Sequence, residues 1–395
     1  MVTFLLLIIY LAFISLGLPE SLLGSAWPVM HISLGTDARF LGVATFIIAG
    51  GMVIAGIVSN RLLKRFGAGT VSAVGALATA LSLIGFSNAT TFWMFCLFAI
   101  PYGLAAGSID AALNNYVSQH YNSRQMSWLH GFWGVGAIIS PYIMGFSLER
   151  EYGWEHGYFT VAMIQVAIVI ILFVCLPIWK KLNGRVPAAE ESERLLTLSE
   201  VLKIKGVKLV LPAFFAYCAV EATTMHWAST YLFLHRGIPG ESAARYGALF
   251  YWGLTGGRFL GGFIANKMGD RKMIRVSTVI IFAGIFMLLL PFEADMVSLI
   301  GLVVLGLGTA TVFPSIIHSA PANFGKENAQ AVIGVQMAGA YAGITLMPLL
   351  FGIISPITGM GIYPVFMLVF TVVFVILIEL LNKCVDKERR KKTNA

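Results

Sequence analysis

The sequence is short of charge. Only 12% of its 395 residues are Asp, Glu, Lys or Arg, whereas a soluble domain carries about a quarter. Hydrophobic residues make up 58% of the chain, and the mean hydropathy is +0.82. So few charges cannot cover the water-exposed surface of a protein of this size, so the composition excludes a soluble globular protein and indicates many membrane-spanning segments.

The sequence also lacks the motifs of common catalytic and metal sites. It contains no GxxxxGK[ST] phosphate loop, no HExxH and no CxxC. The four cysteines, Cys96, Cys175, Cys218 and Cys384, lie in or beside apolar stretches without paired spacing, which predicts neither disulfides nor a metal site. The glycine-rich stretch 253–262 follows no predicted strand, which excludes a dinucleotide-binding loop. We interpret its glycines as positions where helices pack closely. We expect a protein that is not an enzyme and has no cofactor.

Twelve apolar stretches are each long enough to cross a bilayer, which takes about 20 residues. They are centred near residues 12, 48, 78, 104, 137, 168, 220, 255, 282, 307, 340 and 371. The sequence thus predicts an all-α integral membrane protein with twelve transmembrane helices. Its divisions are an N-terminal six-helix bundle (1–179), a cytoplasmic linker (180–208), a C-terminal six-helix bundle (209–384) and a basic tail (385–395). No basic stretch or cleavage site marks the first helix as a signal peptide, so we expect it to be retained.

Basic residues predict the orientation. If both termini are inside, the outer loops contain only Arg39, Arg150, Arg236 and Arg245, and Arg258 falls within a span. The other 22 of the 27 Lys and Arg then lie in inner loops, linker and tail. The positive-inside rule therefore predicts a multi-pass protein of the plasma (inner) membrane with cytoplasmic termini. The net charge of +8 needs no nucleic-acid partner.

The two halves of the chain repeat each other. Three motifs recur in order at offsets of 201, 206 and 207 residues: Phe13-x6-Glu20 as Phe214-x6-Glu221, Gly56-x3-Asn60-Arg61 as Gly262-x3-Asn266-Lys267, and Gly136-x4-Pro141-x3-Gly145 as Gly343-x4-Pro348-x3-Gly352. Ordered matches with so little drift indicate a duplicated six-helix unit.

This organisation resembles the major facilitator superfamily, with two parallel six-helix halves and a basic loop after the second span of each half. Residues 56–67 are similar to the family's G-x3-D-R-x-G-R-[RK] motif, although Asn60 and Asn266 stand where the family has an acid. The resemblance implies two pseudo-symmetric bundles that rock around a binding site near mid-membrane.

Four charged residues fall deep within predicted spans: Glu20, Asp110, Glu221 and Arg258. A charge in hydrocarbon costs about 2.5 to 3.5 kcal/mol or more, so each marks a candidate functional site. Alternatives remain for each acid. Asp110, which shares a helix face with Asn114, could make a structural hydrogen bond. Glu20 could lie near the outer interface, and Glu221 could form a structural ion pair with Arg258 or contact a substrate.

The residues around these acids resemble the fucose-permease branch of sugar–proton symporters. Glu20 matches a first-helix Asp, Asp110-Ala-Ala-Leu-Asn114-Asn115-Tyr116 resembles E-T-A-A-N-P-F, and His130 falls where the branch has a sugar-binding Gln. The resemblance implies proton coupling by Asp110 and Glu20. It also implies sugar binding by carboxylates, amides and aromatic faces, and the residues it indicates are Asn114, Asn115, His130, Trp133, Tyr217, Glu221, Trp227, Gln336 and Tyr341.

The leading hypothesis is a secondary transporter that carries a sugar or polyol with protons by alternating access. A proton-coupled antiporter that exports drugs or metabolites, a sodium-coupled sugar symporter and a sensor that transports nothing remain alternatives. We expect a monomer in the lipid bilayer that binds a small molecule and no nucleic acid.

Overall fold

The computed structural model describes residues 2–121, 123–183, 198–290 and 295–393, and every regular element within them is helical. Eleven stretches of these residues are long and apolar enough to cross a membrane. The predicted eighth span is also a helix, of 29 residues, but Glu241, Arg245, Arg258 and Lys267 make it more polar than the others.

Helices of the first half are α1 (Val2–Glu20), α2 (Leu22–Ser33), α3 (Leu41–Phe66), α4 (Ala68–Ser87), α5 (Phe92–His120), α6 (Ser123–Glu149), α7 (Gly153–Val174) and α8 (Leu176–Asn183). Those that follow are α9 (Leu198–Lys203), α10 (Val207–Leu234), α11 (Gly240–Met268), α12 (Asp270–Leu289), α13 (Asp295–Thr309), α14 (Val312–His318), α15 (Ala320–Phe324), α16 (Lys326–Thr358) and α17 (Tyr363–Thr393).

The first span is interrupted near its middle. Pro19 lacks a backbone N–H, α1 ends at Glu20, and the chain continues after Ser21 as α2. The apolar span runs over Phe4–Ser33, so the predicted centre near residue 12 is too early. Glu20 consequently lies well inside the span, and the alternative of an outer-interface position does not fit this structure.

The halves pack their helices in matching ways. Helix α3 packs on α5 as α11 packs on α13, and α1 packs on α6 as α10 packs on α16. Glycines allow the backbones to touch. A Cβ atom at Gly103 would lie 2.3 Å from the carbonyl oxygen of Ile48, and one at Gly253 would lie 1.9 Å from that of Val303. Close contact through small residues is the usual way in which helices associate in lipid.

Contacts between the halves join α6 to α11, α3 to α16 and α2 to α10. We call the end of the molecule that carries Arg39, Glu149 and Arg245 the distal end. There, Glu149 of α6 and Arg245 of α11 form an ion pair between the halves. A Cβ atom at Gly42 of α3 would lie 2.6 Å from the Cα atom of Leu349 in α16. The halves are therefore closed against each other at the distal end.

The opposite end, which we call the basic end, contains ion pairs within the second half. Arg275 makes two 2.7 Å hydrogen bonds to Glu379, and Arg271 lies 2.7 Å from Asp386. These contacts hold α17 against α12. Helix α17 passes without a break through the predicted start of the basic tail. Much of the predicted linker, 184–197, lies outside the described residues, and the division into domains stays a prediction.

The glycine contacts predict a difference in stability between two positions of α11. Gly253→Ala should lower the free energy of unfolding by about 1 to 3 kcal/mol, because the new methyl group overlaps the backbone of α13. Gly256→Ala is the matched control, since a Cβ atom there has no neighbour within 4 Å among the described residues. Thermal unfolding in detergent should show a lower melting temperature for Gly253→Ala alone. Equal melting temperatures would contradict the packing argument.

Candidate functional site

The first component of the site joins Glu20 to Trp133 of α6. The indole Nε1 of Trp133 donates a 2.7 Å hydrogen bond to Oε2 of Glu20. Glycines bring the two helices close enough for this bond. A Cβ atom at Gly17 would lie 1.9 Å from the carbonyl oxygen of Trp133, and one at Gly136 would lie 2.3 Å from that of Ile14. The partly exposed Glu20 forms no ion pair with any described residue.

The second component is an ion pair in the other half. Nη2 of Arg258 donates to Oε1 of Glu221 at 3.1 Å, and the two side chains are only 16% and 10% exposed. The hydroxyl of Tyr217 lies 2.6 Å from Oε2 of Glu221 and 2.7 Å from the carbonyl oxygen of Thr309. Glu221 thus has a cation and a hydroxyl as partners, an arrangement that compensates for the loss of water around a buried carboxylate.

Trp133 connects these two components across the boundary between the halves. The guanidinium carbon of Arg258 lies 5.2 Å from the centre of the Trp133 ring, within the range of a cation–π interaction. The Tyr251 ring packs 6.2 Å from the same indole. One aromatic side chain of the first half therefore contacts a carboxyl group of its own half and a cation of the other.

Asp110 on α5 has a different environment. Its Oδ1 accepts a 2.9 Å hydrogen bond from the amide of Asn114, and it forms no ion pair with the part of the chain that the structure describes. The position in the first half that corresponds to Arg258 is Met52. A Cβ atom at Gly107, one turn from Asp110, would lie 2.6 Å from the Cα atom of Met52. The first half thus places an apolar side chain where the second half has its cation.

Three other predicted site residues keep part of their surface accessible. They are Asn115, His130 and Tyr341. His130 packs edge-on against Phe13, with the ring centres 5.7 Å apart. Together with Glu20, Asp110, Asn114 and Trp133 they give the interior of the spans a set of accessible polar and aromatic groups.

Several predicted substrate contacts are buried in this structure, and their assignment stays a prediction. Trp227 has no exposed surface, and its Nε1 donates to the carbonyl oxygen of Pro348, so it ties α10 to α16. Gln336 also has no exposed surface, and its amide atoms find no hydrogen-bond partner among the described residues. Tyr217 is 1% exposed and bound to Glu221. Side chains this enclosed offer a substrate almost no surface in this conformation.

Helix α11 contributes residues that the sequence analysis missed. Tyr251 packs on Trp133, and the buried hydroxyl oxygen of Thr255 would lie 2.0 Å from a Cβ atom at Gly134. With Arg258 they follow the spacing i, i+4, i+7, which places all three on one helix face. That periodicity is the signal that could have found them, but the glycines of α11 draw the interpretation toward helix packing alone.

Comparison with known proteins shows the family. Residues 9–317 and 246–395 match the sequence model of the Major Facilitator Superfamily. The chain belongs to this superfamily. It is therefore a multi-pass membrane transporter of small molecules and not an enzyme.

Relatives by sequence are distant. The chain is 24% identical over 323 residues to an uncharacterised transporter of Sinorhizobium fredii, covering 80% of this chain and 81% of the relative. It is 25% identical over 254 residues to the cis,cis-muconate transport protein of Acinetobacter baylyi, covering 60% and 58%.

Solved structures share the fold. A point mutant of the nucleoside transporter NupG matches with a TM-score of 0.73 at 15% identity and covers 95% of this chain and 98% of its own. FucP, a fucose permease in its outward conformation, matches with a TM-score of 0.65 at 17% identity. This match also covers 95% of this chain and 98% of the FucP chain. At these identities the likeness shows the fold alone.

The unequal surroundings of the two glutamates predict unequal effects on stability. Glu221→Gln should lower the free energy of unfolding by about 3 kcal/mol, because it leaves Arg258 buried without its carboxylate. Glu20→Gln should leave stability nearly unchanged, since the amide oxygen still accepts from Trp133. Melting temperatures of both variants test this, and the double variant Glu221→Gln/Arg258→Gln should recover much of the loss. Equal melting temperatures for the two single variants would contradict the assignment.

Proposed function

We propose that this transporter carries a sugar or a related polyol together with protons, by alternating access. One observation carries the proposal: Glu20 and Asp110 lie within spans of the same half, keep accessible surface, and have hydrogen-bond donors but no cation as partners among the described residues. In hydrocarbon such a carboxyl group is costly when charged, and binding a proton removes that cost.

Proton coupling follows if the surroundings of these acids change as the halves rock. A carboxyl group that is alternately more and less shielded from water binds and releases its proton in step with the conformation. Asp110 is the principal candidate, because its single described hydrogen bond comes from an amide on its own helix. We do not assign this role to Glu221, since its carboxylate is already paired with Arg258 at 3.1 Å.

The chemistry of the accessible groups supports a polyhydroxylated substrate. Asn114, Asn115 and His130 offer donors and acceptors to hydroxyl groups, and Tyr341 offers an aromatic face. The fold neighbours include a fucose permease and a nucleoside transporter, and both of these substrates contain a sugar ring. His130 and Glu221 replace glutamines of the permease motif, so we do not propose L-fucose itself.

An organic acid is the rival substrate, because one relative is a muconate transport protein. The charged groups of the site disfavour an organic acid. Its deep cation, Arg258, is already bound to Glu221 and covered by Trp133, so an anion would have to displace a carboxylate of the protein. Two further carboxyl groups, Glu20 and Asp110, would repel it whenever they are charged.

Purified protein in liposomes tests the substrate and the coupling ion together. Neutral sugars, polyols, nucleosides and dicarboxylates are screened by thermal shift with and without sodium, and the stabilising compounds are then tested for uptake under an imposed pH gradient. We expect a neutral polyhydroxylated compound to be accumulated when the outer solution is acidic. Accumulation that requires sodium, or efflux driven by inward proton flow, would replace the proposal with one of the alternatives.

Asp110→Asn separates coupling from binding. The amide keeps the shape of the side chain but cannot bind and release a proton, so accumulation against a gradient should fall at least about tenfold. Exchange of labelled for unlabelled substrate should persist. Asp37→Asn is the control, because Asp37 lies in an exposed loop. Proton-driven uptake at the wild-type rate in Asp110→Asn would remove Asp110 from the coupling mechanism.

A further inference from the structure

We propose that Trp133 transmits the protonation state of Glu20 to the second half, so that loss of the proton from Glu20 stabilises the conformation closed at the distal end. This inference rests on the proposed proton coupling and assigns Trp133 as a positioning residue between the coupling carboxyl group and the other bundle.

The geometry supplies a continuous path of contacts. Oε2 of Glu20 accepts from Nε1 of Trp133 at 2.7 Å. The face of the same indole lies 5.2 Å from the guanidinium carbon of Arg258. Arg258 in turn donates to Glu221 at 3.1 Å. The path begins in α1, passes through α6, and crosses into α11 and α10 of the second half.

Protonation of Glu20 changes the strength of the first contact in this path, the hydrogen bond from Trp133 to Glu20. A carboxylate accepts a hydrogen bond about twice as strong as a neutral acid does. Donation to the carboxylate also polarises the indole and increases electron density on its ring, since linked polar interactions strengthen one another. A ring with more electron density attracts the Arg258 guanidinium more strongly. Deprotonated Glu20 therefore strengthens the contact between Trp133 and Arg258.

The structure shows that contact in the conformation whose distal end is closed. Trp133 and Arg258 lie on α6 and α11, helices of different halves that pack together here while the distal end is closed. We expect that tilting the halves apart at the distal end moves α6 away from α11 at the level of Trp133 and weakens the contact. By linkage, Glu20 holds its proton more tightly when the distal end is open and releases it more readily when that end is closed.

Other charged and titratable groups surround Glu20 and also influence whether it is protonated. Asp110 of α5, Glu221 of α10 and Arg258 of α11 are close enough to act on its charge. The phenol of Tyr102 on α5 and that of Tyr251 on α11 lie within reach of the same carboxyl group. Of these five, Arg258 and Tyr251 contact the Trp133 ring, and Arg258 is the cation.

The test measures opening of the distal end as a function of pH. In a variant lacking the native cysteines, spin labels are placed at the exposed positions 37 and 239, one in each half. The distance between the two labels is measured by electron–electron double resonance. As the pH falls and Glu20 takes up a proton, the distal-open population of the wild type should rise. Glu20→Gln should reduce this dependence on pH to the part that Asp110 contributes.

Trp133→Phe is the decisive variant, because phenylalanine keeps an aromatic ring beside Arg258 but has no N–H for Glu20. Its pH-induced change in the open-to-closed ratio should be smaller than the wild-type change by roughly threefold or more. Trp252→Phe is the matched control. Trp252 also donates between the halves, to the hydroxyl of Tyr142 at 3.2 Å, but its partner is no carboxyl group. Its response to pH should equal that of the wild type.

A second variant keeps the proposal testable if Trp133→Phe does not fold. Glu221→Gln/Arg258→Gln removes the cation together with its counter-charge and should reduce the dependence on pH as Trp133→Phe does. A full pH response in either folded variant would overturn the role of Trp133, while loss of the response in Glu20→Gln leaves the proposed function standing. A wild type without any pH response, or a full response in Glu20→Gln, would instead remove Glu20 from proton coupling.

Discussion

A carboxyl group in the interior of a membrane must give up its charge or share it, and the two halves of this transporter meet that constraint differently. In the second half Glu221 shares its charge with Arg258, and Tyr217 adds a hydroxyl. In the first half Glu20 and Asp110 have only an indole N–H and an amide among their described hydrogen bonds. The second half therefore has a buried ion pair, and the first half has acids without a cationic partner among the described residues.

This asymmetry developed within a duplicated unit. Glu20 and Glu221 occupy equivalent positions, but the position of Arg258 corresponds to Met52 and that of Asp110 to Phe313. Phe313 packs against Phe214 with ring centres 4.8 Å apart, so the second half fills with an aromatic contact the place where the first half keeps an acid. Two exchanges of side chain thus suffice to give equivalent bundles unequal electrostatic roles.

Periodicity and composition predict most of the architecture. Span length, loop charge and the repeat offsets each depend on physical constraints that act locally along the chain, so the twelve-helix, two-half fold and the membrane class can be derived before any coordinates. The interruption at Ser21 is also indicated, because Pro19 removes a hydrogen-bond donor. The predicted centre of the first span is too early, since α2 contains polar residues and a second proline, Pro28, that neighbouring helices accommodate.

The site is predicted less completely, for a different physical reason. The depth of each acid follows from its own span, but which side chains it meets depends on how helices distant in sequence are rotated against each other. Trp227 and Gln336 have the chemistry of substrate ligands, yet both are completely buried. The approach of Arg258 to Trp133 joins residues on opposite sides of the linker, and no local pattern specifies it.

The glycine contacts inside each half have a consequence for how the protein evolves. Where backbones touch, as at Gly253 and Gly103, helices cannot slide without overlapping atoms, so each bundle moves as a stiff body and deformation concentrates at the surface between the bundles. Under the proposed alternating access, substitutions on that surface alter how often the transporter switches conformation, with little effect on the shape of either bundle. Selection can therefore adjust the rate of switching while the packing inside each bundle stays constant.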